Sequence, residues 1–162
     1  MTGYLIRPAT EADVEAIVGY EIEIAVVSFA DEAITDPALH RKRVTSALGK
    51  PGEVTLVAVA RQAPAEPVGW AWLSARTNSL TGDRYGNFRS LAVSDISDRS
   101  LVGELLMAAV LDAADQAGLT QLTGKVHAGN LGMRALYRKL GFTATHLTME
   151  RKADTDRKAP AP

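Results

Sequence analysis

The amino-acid sequence predicts a single α+β domain in which helices flank a β-sheet. Its 162 residues suit one domain, since domains commonly contain roughly 100 to 200 residues. Hydrophobic residues make up 46% of the chain, which is enough for one core. Strand-like runs follow one another in the middle of the chain, and helix-like runs lie on either side of them. We predict the element order βααβββαβαβ.

The first third of the chain is predicted to contain one short strand and two helices. Residues 4–7 form the strand. A helix with apolar residues at helical spacing follows, and Thr10 with Asp13 resembles a capping box at its start. The acidic stretch 31–36 ends this helix. A second helix covers 37–49, because it begins with a proline, which the first turn of a helix tolerates.

The middle of the chain is predicted to form an antiparallel meander. Residues 54–61 are rich in β-branched residues and form a strand. Residues 62–66 form a turn, and residues 68–73 form the partner strand. After a longer loop over 77–83, a third strand covers 87–93.

The last third is predicted to alternate helices with strands. The longest helix covers 100–116 and ends near Gly118. Its apolar side is expected to include Leu101, Leu105 and Val110. A strand over 122–127, a helix over 131–140 and a final strand over 142–150 complete the order.

No repeat or interdomain linker interrupts residues 1–150, so we expect them to form one domain. Residues 151–162 are rich in charges and end in alanine and proline. Such a composition is typical of a disordered C-terminal tail.

Composition and charge exclude several classes of partner and site. The formal net charge is −1 and the charges are interspersed, so neither nucleic acid nor a membrane surface is expected as a partner. Cysteine is absent and the three histidines are scattered, so we predict no metal site. The sequence shows neither an apolar segment of signal-peptide type nor a run that spans a bilayer, and we expect a cytoplasmic protein.

Four stretches of the sequence resemble the GNAT superfamily of acetyl-CoA-dependent N-acetyltransferases. They are, in order, LIRPATEADVEAI, LVAVARQAPAEPVGWAWLSAR, SLAVSDISDRSLVGELLMAAVLDAA and NLGMRALYRKLGF. The resemblance covers about residues 4–150 and implies the superfamily's mixed sheet, in which the fourth and fifth strands splay apart. The pantetheine arm of acetyl-CoA, the expected co-substrate, would lie in that gap against Leu91, Ala92 and Val93.

The resemblance also places the pyrophosphate of CoA at the start of the next helix, where backbone N–H groups and the helix dipole favour an anion. The residues of this phosphate-binding segment would be Arg99, Ser100, Leu101, Val102, Gly103 and Glu104. Here the sequence departs from the superfamily's signature. Asp98 and Leu101 occupy the positions of the basic residue and of the first glycine, and only Gly103 fits. Arg99 follows one residue later and can supply the positive charge.

The resemblance implies that Tyr137 is the catalytic acid, because it follows Asn130 by seven residues, as the superfamily's tyrosine does. Its phenol would protonate the departing thiolate, while Asn130 at the helix entrance would contact the pantetheine arm. The alternative is a tyrosine that only packs beside Leu140 and Phe142. Met133 stands where the superfamily usually has alanine.

The general base of the superfamily has no counterpart in this sequence. Where many members carry a glutamate on the fourth strand, this chain has Arg89, whose guanidinium stays charged. Asn87 and Arg89 share a strand face with Tyr85 and are the candidate substrate-binding residues. Arg89 would clamp a carboxylate or phosphate, or else be a solvated side chain on an exposed sheet face. Proton removal is assigned to Glu21 through water, with His127 as the alternative.

These assignments support N-acetyl transfer from acetyl-CoA to a small-molecule amine. The amine would attack the thioester directly in a ternary complex, since the chain has no cysteine to form an acyl-enzyme. Two alternatives keep the fold. One is a binding or regulatory module with weak or no CoA binding, and the other is an acyltransferase with a different thioester donor. The acceptor and the oligomeric state stay open, with a homodimer as one option.

Overall fold

A computed structural model describes residues 3–153 of the chain. The chain divides into two compact units, Met1–His127 and Ala128–Pro162. The first unit holds the sheet and three of the α-helices. The second unit holds one short helix. The expectation of a single domain over residues 1–150 stays a prediction.

The described residues form five strands and four α-helices. In chain order these are β1 (Tyr4–Pro8), α1 (Val14–Phe29), α2 (Pro37–Ala47), β2 (Glu53–Ala60), β3 (Ala63–Thr77), β4 (Arg84–Val93), α3 (Arg99–Gln116), β5 (Leu122–Gly124) and α4 (Leu131–Lys139). Short 3-10 turns, Glu11–Asp13 and Ala30–Glu32, flank α1. None of the described helices is long and apolar enough to cross a membrane.

The five strands form one mixed sheet in the order β1-β2-β3-β4-β5. The first four strands pair in antiparallel fashion, and β5 joins β4 in parallel. The fold class is therefore the predicted one, a mixed sheet flanked by helices, and the meander in the middle of the chain is confirmed. Gly118 has φ +73° just after α3, as expected for a glycine that ends a helix.

Each face of the sheet is covered by different helices. On one face, Trp70 and Trp72 of β3 are almost completely buried in a cluster with apolar residues of α1 and α2. On the other face α3 packs through Val102 and Leu106. The approach is close at Gly69, because a Cβ there would lie 2.8 Å from the Leu106 side chain. This glycine sets the distance between α3 and the sheet.

Several predicted boundaries in the sheet are wrong. The turn expected over 62–66 is much shorter, because β3 already begins at Ala63, which pairs with Ala60. Register shifts between Ala58 and Val59 and between Val59 and Ala60 accompany this pairing. Pairing along β2 thus extends the strand through residues whose composition is typical of a turn. β3 also continues to Thr77 rather than ending at residue 73, and β4 begins at Arg84 rather than at residue 87. The fifth strand ends at Gly124 and not at residue 127.

The final strand predicted over 142–150 does not form, and these residues have no regular secondary structure. Their side chains are exposed except that of Phe142, so these residues cover no face of the sheet. Of the tail predicted over 151–162, residues 151–153 are exposed and irregular, and 154–162 lie outside the described residues.

The buried side of α3 also differs from the expectation, because Leu101 is exposed and Leu105 only half-buried, whereas Val110 is buried as predicted.

A buried ion pair ties the start of α1 to the sheet. Asp13, which is 1% exposed, accepts hydrogen bonds from Arg7 at 2.7 and 2.9 Å and from the Thr10 amide at 2.8 Å. The predicted contact of Asp13 with Thr10 at this helix start is thus present. The Arg7 guanidinium lowers the pKa of Asp13.

We expect Asp13→Asn to lower the free energy of unfolding by about 3 kcal/mol at neutral pH, because it leaves a partly buried arginine without its charge partner. Since the folded-state pKa of Asp13 is lowered, its stabilisation is present above the unfolded-state pKa of about 4 and disappears as the pH falls through the folded-state pKa. Urea unfolding across acid pH should therefore show a weaker pH dependence for the variant. Glu15→Gln, which removes an exposed ion pair with Arg41, is the control and should change little. Equal effects of the two substitutions would contradict this prediction.

Candidate active site

The sheet opens between β4 and β5. In the part of the chain that the structure describes, these strands pair only from Gly86 to Phe88, against Leu122 to Gly124. Beyond this point β4 continues to Val93 with β3 as its partner on one side. Pairing between β4 and β5 thus ends at Phe88, and the splayed arrangement implied by the resemblance stays a prediction.

The open edge of β4 directs backbone groups into this gap. The amide of Ser94 donates to the carbonyl of Val68 at 2.9 Å. Because backbone groups alternate along an antiparallel strand, Ala92 also faces β3, and the N–H and C=O groups of Leu91 and Val93 face away from it. The gap thus offers donors and acceptors to an extended ligand.

The N-terminus of α3 follows this edge. The Arg99 amide donates to Ile96 and the Val102 amide to Asp98, at 3.1 and 3.0 Å. Among the described residues the amides of Ser100 and Leu101 have no such acceptor, as is usual in the first turn of a helix. Two donors and the positive end of the helix dipole are therefore available to an anion.

Asp98, the unexpected acid at this helix start, is held from outside the helix. Its carboxylate makes no capping bond to α3 and accepts the hydroxyl of Tyr4 at 2.8 Å. Arg99 and Leu101 are exposed beside it, and Leu101 is 40% exposed. The carboxylate is thus engaged by β1, which reduces its competition for the amides of the first turn.

Gly103 is buried without being crowded. A Cβ at this position would meet only the Val93 side chain, at 3.9 Å, an ordinary van der Waals distance. The protein's own packing therefore does not require glycine here. Since Val93 belongs to the open edge, this contact brings the predicted phosphate-binding segment and the predicted strand edge together. Val102 points into the core, and Glu104 is half-buried one residue further on.

Glu21 is a buried side chain and not a surface charge. It lies on α1, is 6% exposed, and its Oε1 accepts the indole N–H of Trp70 at 2.7 Å. Trp70 lies opposite Ala92 in the sheet register. Glu21 therefore sits above the same stretch of β4 whose edge is open. Its Oε2 makes no hydrogen bond with the described residues and is not fully buried, which leaves it accessible to water.

Arg89 occupies a β-bulge. Phe88 pairs with Leu73 and Ser90 with Trp72, so Arg89 is the extra residue between them. Its guanidinium stacks over the Trp72 ring, 3.7 Å from the ring centroid. Arg89 is thus held by a cation–π contact and is not a freely solvated side chain.

A cavity of about 220 Å³ lies beside this stacked pair. Its lining residues come from α2, β2, β3 and β4: Arg43, Ser46, Ala47, Glu53, Trp72, Arg76 and Arg89. Three guanidinium groups thus face one carboxylate. Burial and the neighbouring Arg43 lower the pKa of Arg89, and Glu53 opposes this shift. Asn87 lies opposite Ser74 on this face of the sheet but does not line the cavity.

Three of these cavity residues have no local sequence signal for a site. Glu53 accepts the Trp72 indole N–H at 2.8 Å and the Ser74 hydroxyl, and lies 3.6 Å from Arg76. Its partners are about twenty residues away in sequence and reach it only through the β2–β3 register. Arg43, on α2, lies 6.0 Å from the Trp72 ring centroid. Alternation along β2 could at most have placed Glu53 on the face that carries the tryptophans.

Tyr137 and Asn130 belong to the second compact unit. Tyr137 is 7% exposed, its ring centroid lies 4.8 Å from that of Phe142, and burial raises its phenol pKa. The contact with Phe142 is the packing that the sequence offered as the alternative to catalysis, and it does not decide between the two. Asn130 caps α4, where its Oδ1 accepts the Met133 amide at 3.1 Å. His127 is exposed at the end of the first unit.

Within residues 3–153 no group of three or more His, Asp or Glu side chains is placed to hold a metal ion. The features that can bind a ligand are the β4 edge, the α3 N-terminus and the arginine-lined cavity.

The sequence profile of the acetyltransferase (GNAT) family matches residues 18–142, most of the chain. The protein therefore belongs to the GNAT acetyltransferase family. Acetyl transfer is the chemistry of this family, and its members generally use acetyl-CoA. Among curated proteins, none matches this sequence.

Solved structures share the fold at low sequence identity. A tetramutant of a Bacillus halodurans protein is 18% identical with a TM-score of 0.79, and the alignment covers 92% of this chain and 99% of that one. The aminoglycoside antibiotic 6'-N-acetyltransferase AAC(6')-Ih from Acinetobacter baumannii is 17% identical with a TM-score of 0.71, covering 94% and 99%. The corresponding AAC(6')-IG enzyme from Acinetobacter haemolyticus is 21% identical with a TM-score of 0.68, covering 93% and 99%. At these identities the likeness concerns the fold.

Proposed function

We propose that this protein transfers the acetyl group of acetyl-CoA to the amine of a small molecule, by direct attack in a ternary complex. The observation that carries the proposal is the open β4 edge, with the backbone groups of Leu91 and Val93 directed into the β4–β5 gap. The start of α3 lies against this edge through Gly103 and Val93. One strand edge and one helix N-terminus thus offer adjacent sites for an amide-containing arm and a pyrophosphate.

The residues present fit CoA in spite of the altered signature. The anion donors are the amides of Ser100 and Leu101, which depend on helical backbone and not on glycine side chains. Above Gly103 a Cβ would meet only Val93, so no other side chain crowds the backbone at this position. The Asp98 carboxylate accepts the hydrogen bond of the Tyr4 hydroxyl, and the exposed Arg99 adds a positive charge at the start of α3.

The proposed reaction needs a neutral amine, a polarised thioester carbonyl and a proton for the leaving thiolate. Alkylamines have a pKa of about 10.4, so nearly all of the acceptor is protonated at neutral pH. Glu21, through its water-accessible Oε2, is the proposed route for the amine's proton. The outward N–H groups of Leu91 and Val93 would stabilise the oxyanion that forms when nitrogen bonds to the carbonyl carbon. When the C–S bond breaks, Tyr137 would give its phenolic proton to the sulfur.

Calorimetric titration with acetyl-CoA, CoA and dephospho-CoA tests the donor. We expect micromolar binding of acetyl-CoA. Thiol release in the presence of a panel of amines then tests transfer. Absence of acetyl-CoA binding would overturn the proposal in favour of another thioester donor or of a binding module.

We expect Gly103→Ala to weaken acetyl-CoA binding by about tenfold while leaving the protein folded. The added Cβ meets no protein atom closer than 3.9 Å, and alanine is favoured over glycine in a helix interior by roughly 0.5–1 kcal/mol. Stability should therefore stay equal or rise, whereas a methyl group would stand between the backbone and the phosphate. Thermal unfolding and calorimetry measure the two effects. Unchanged affinity would place the phosphate elsewhere.

Leu101→Gly is the matched variant at the other position of the signature. It removes the exposed side chain beside the amides of the first turn, and we expect it to tighten CoA binding. Tighter binding of CoA with unchanged turnover of another thioester would support the different donor.

A further inference from the structure

The arginine-lined cavity carries more positive charge than the protein neutralises. It has three guanidinium groups, from Arg43, Arg76 and Arg89, and the Glu53 carboxylate. Glu53 is already engaged by Trp72, by Ser74 and at 3.6 Å by Arg76. The carboxylate therefore has little capacity left for the other two guanidinium groups.

Arg43 and Arg89 have no carboxylate partner among residues 3–153. Neither guanidinium forms a hydrogen bond or an ion pair there. Both lie against the Trp72 ring, and the carboxylates that act electrostatically on Arg89, those of Glu53 and Glu21, are beyond ion-pair distance. Each guanidinium carries five N–H donors in a planar fork, the geometry that suits a carboxylate or a phosphate. Two such forks line one cavity and can bind one anion together.

Arg89 is also held in position. Its guanidinium stacks at 3.7 Å on Trp72, and Trp72 is 1% exposed and fixed through its indole N–H to Glu53. A donor held by stacking and packing loses less side-chain entropy when it binds an anion than a mobile one. The cavity of about 220 Å³ has room for one small acidic group rather than for a whole drug-sized ligand.

The cavity lies next to the proposed reaction site. Arg89 is two residues from Leu91, about 7 Å along the strand. A molecule with its acidic group at Arg89 can thus present an amine to the β4 edge. A polycationic acceptor of the aminoglycoside kind would meet repulsion at the same place.

We infer that the acceptor amine also carries a carboxylate or phosphate group, and that Arg43 and Arg89 bind this group in the cavity beside Trp72. The inference rests on the proposed function for the role of the ligand as acceptor. Binding of the acid itself depends on the cavity alone. The two can therefore be tested separately.

The test compares amino acids with their amides. Glycine, β-alanine, γ-aminobutyrate and ε-aminocaproate are each assayed beside the corresponding primary amide, at saturating acetyl-CoA. O-phosphoethanolamine beside ethanolamine forms the phosphate arm. We expect at least one acidic member to exceed its neutral partner about tenfold to a hundredfold in kcat/KM, because charge-assisted hydrogen bonds to arginine are lost in the partner. The better arm identifies carboxylate or phosphate as the preferred group.

Variants of the cavity provide the control. Arg89→Gln and, separately, Arg43→Gln should remove the preference for the acid over its neutral partner. Arg41→Gln lies on the same helix as Arg43 but outside the cavity and should retain the preference. An amide used as well as its acid throughout the panel, or a preference that survives Arg89→Gln, would overturn the inference.

Equilibrium binding separates failure of this inference from failure of the proposed function. The chain has only two tryptophans, Trp70 and Trp72, so an anion bound at Arg89 beside the Trp72 ring should change the intrinsic fluorescence. We expect the acids to produce a saturable change that the amides do not produce and that Arg89→Gln abolishes. This result without any acetyl transfer would support the anion site and reject the proposed function. Transfer to neutral amines, with no fluorescence response to any acid, would support the proposed function and reject the anion site.

Discussion

Replacing Tyr137 by Phe is expected to reduce kcat for acetyl transfer by about 100-fold or more, with acetyl-CoA affinity nearly unchanged. A positioned acid typically contributes about 10²- to 10⁴-fold, and only the hydroxyl is removed. The ring that packs on Phe142 remains, so the fold should persist. Single-turnover rates and calorimetry of the variant measure the two quantities.

The pH dependence of the activity tests the role of Tyr137 as the acid independently. Burial raises the pKa of Tyr137, so its phenol should stay protonated beyond the ordinary value of about 10. Activity that needs this proton should therefore not decline until the pH exceeds that value. Phe142→Leu, which disturbs the packing but keeps the phenol, is the control. If Tyr137→Phe retained full kcat while Phe142→Leu lost stability, Tyr137 would be a packing residue only.

Trp70→Ala is expected to be the most destabilising substitution considered, at about 3–5 kcal/mol. The side chain is completely buried between β3 and the α1–α2 layer, and its loss leaves a large cavity. It also removes the donor at 2.7 Å from the buried Glu21 carboxylate, which adds the cost of an unsatisfied charge. Chemical denaturation with the circular dichroism signal of the helices measures this loss.

Trp70→Phe separates the two contributions. It keeps an aromatic six-membered ring but removes the indole N–H together with the rest of the five-membered ring, and the expected loss is about 1–3 kcal/mol. In a Glu21→Leu background the same substitution should cost less, because no carboxylate is left unpaired. Identical costs in both backgrounds would show that the Glu21 bond contributes nothing to stability.

The sequence predicted the elements that depend on short-range patterns. The helices α1, α2, α3 and α4 all form close to their predicted spans, because helical periodicity and end signals such as Pro37 and Gly118 act within a few residues. The family resemblance also placed the strand edge at Leu91 to Val93 and the segment after Asp98, and the structure brings these two together.

The strand predictions were wrong where pairing overrides local composition. β3 runs through the expected turn because β2 supplies partners for its backbone. The strand predicted over 142–150 does not form, because a strand is stable only when a neighbour takes its hydrogen bonds. The local sequence does not reveal whether that neighbour exists.

The set of residues that line the arginine-lined cavity depends on the tertiary structure alone. Its charged residues come from α2, β2, β3 and β4 and meet only when α2 covers the sheet and β2 aligns with β3. The position of Arg89 depends on a bulge that turns an ordinary strand residue onto the Trp72 ring. By itself, then, the sequence determined the helices and the fold class, and through the family resemblance it pointed to the strand edge at Leu91 to Val93. Which charges share a cavity was settled by strand register and helix packing, since these join residues that no local pattern connects.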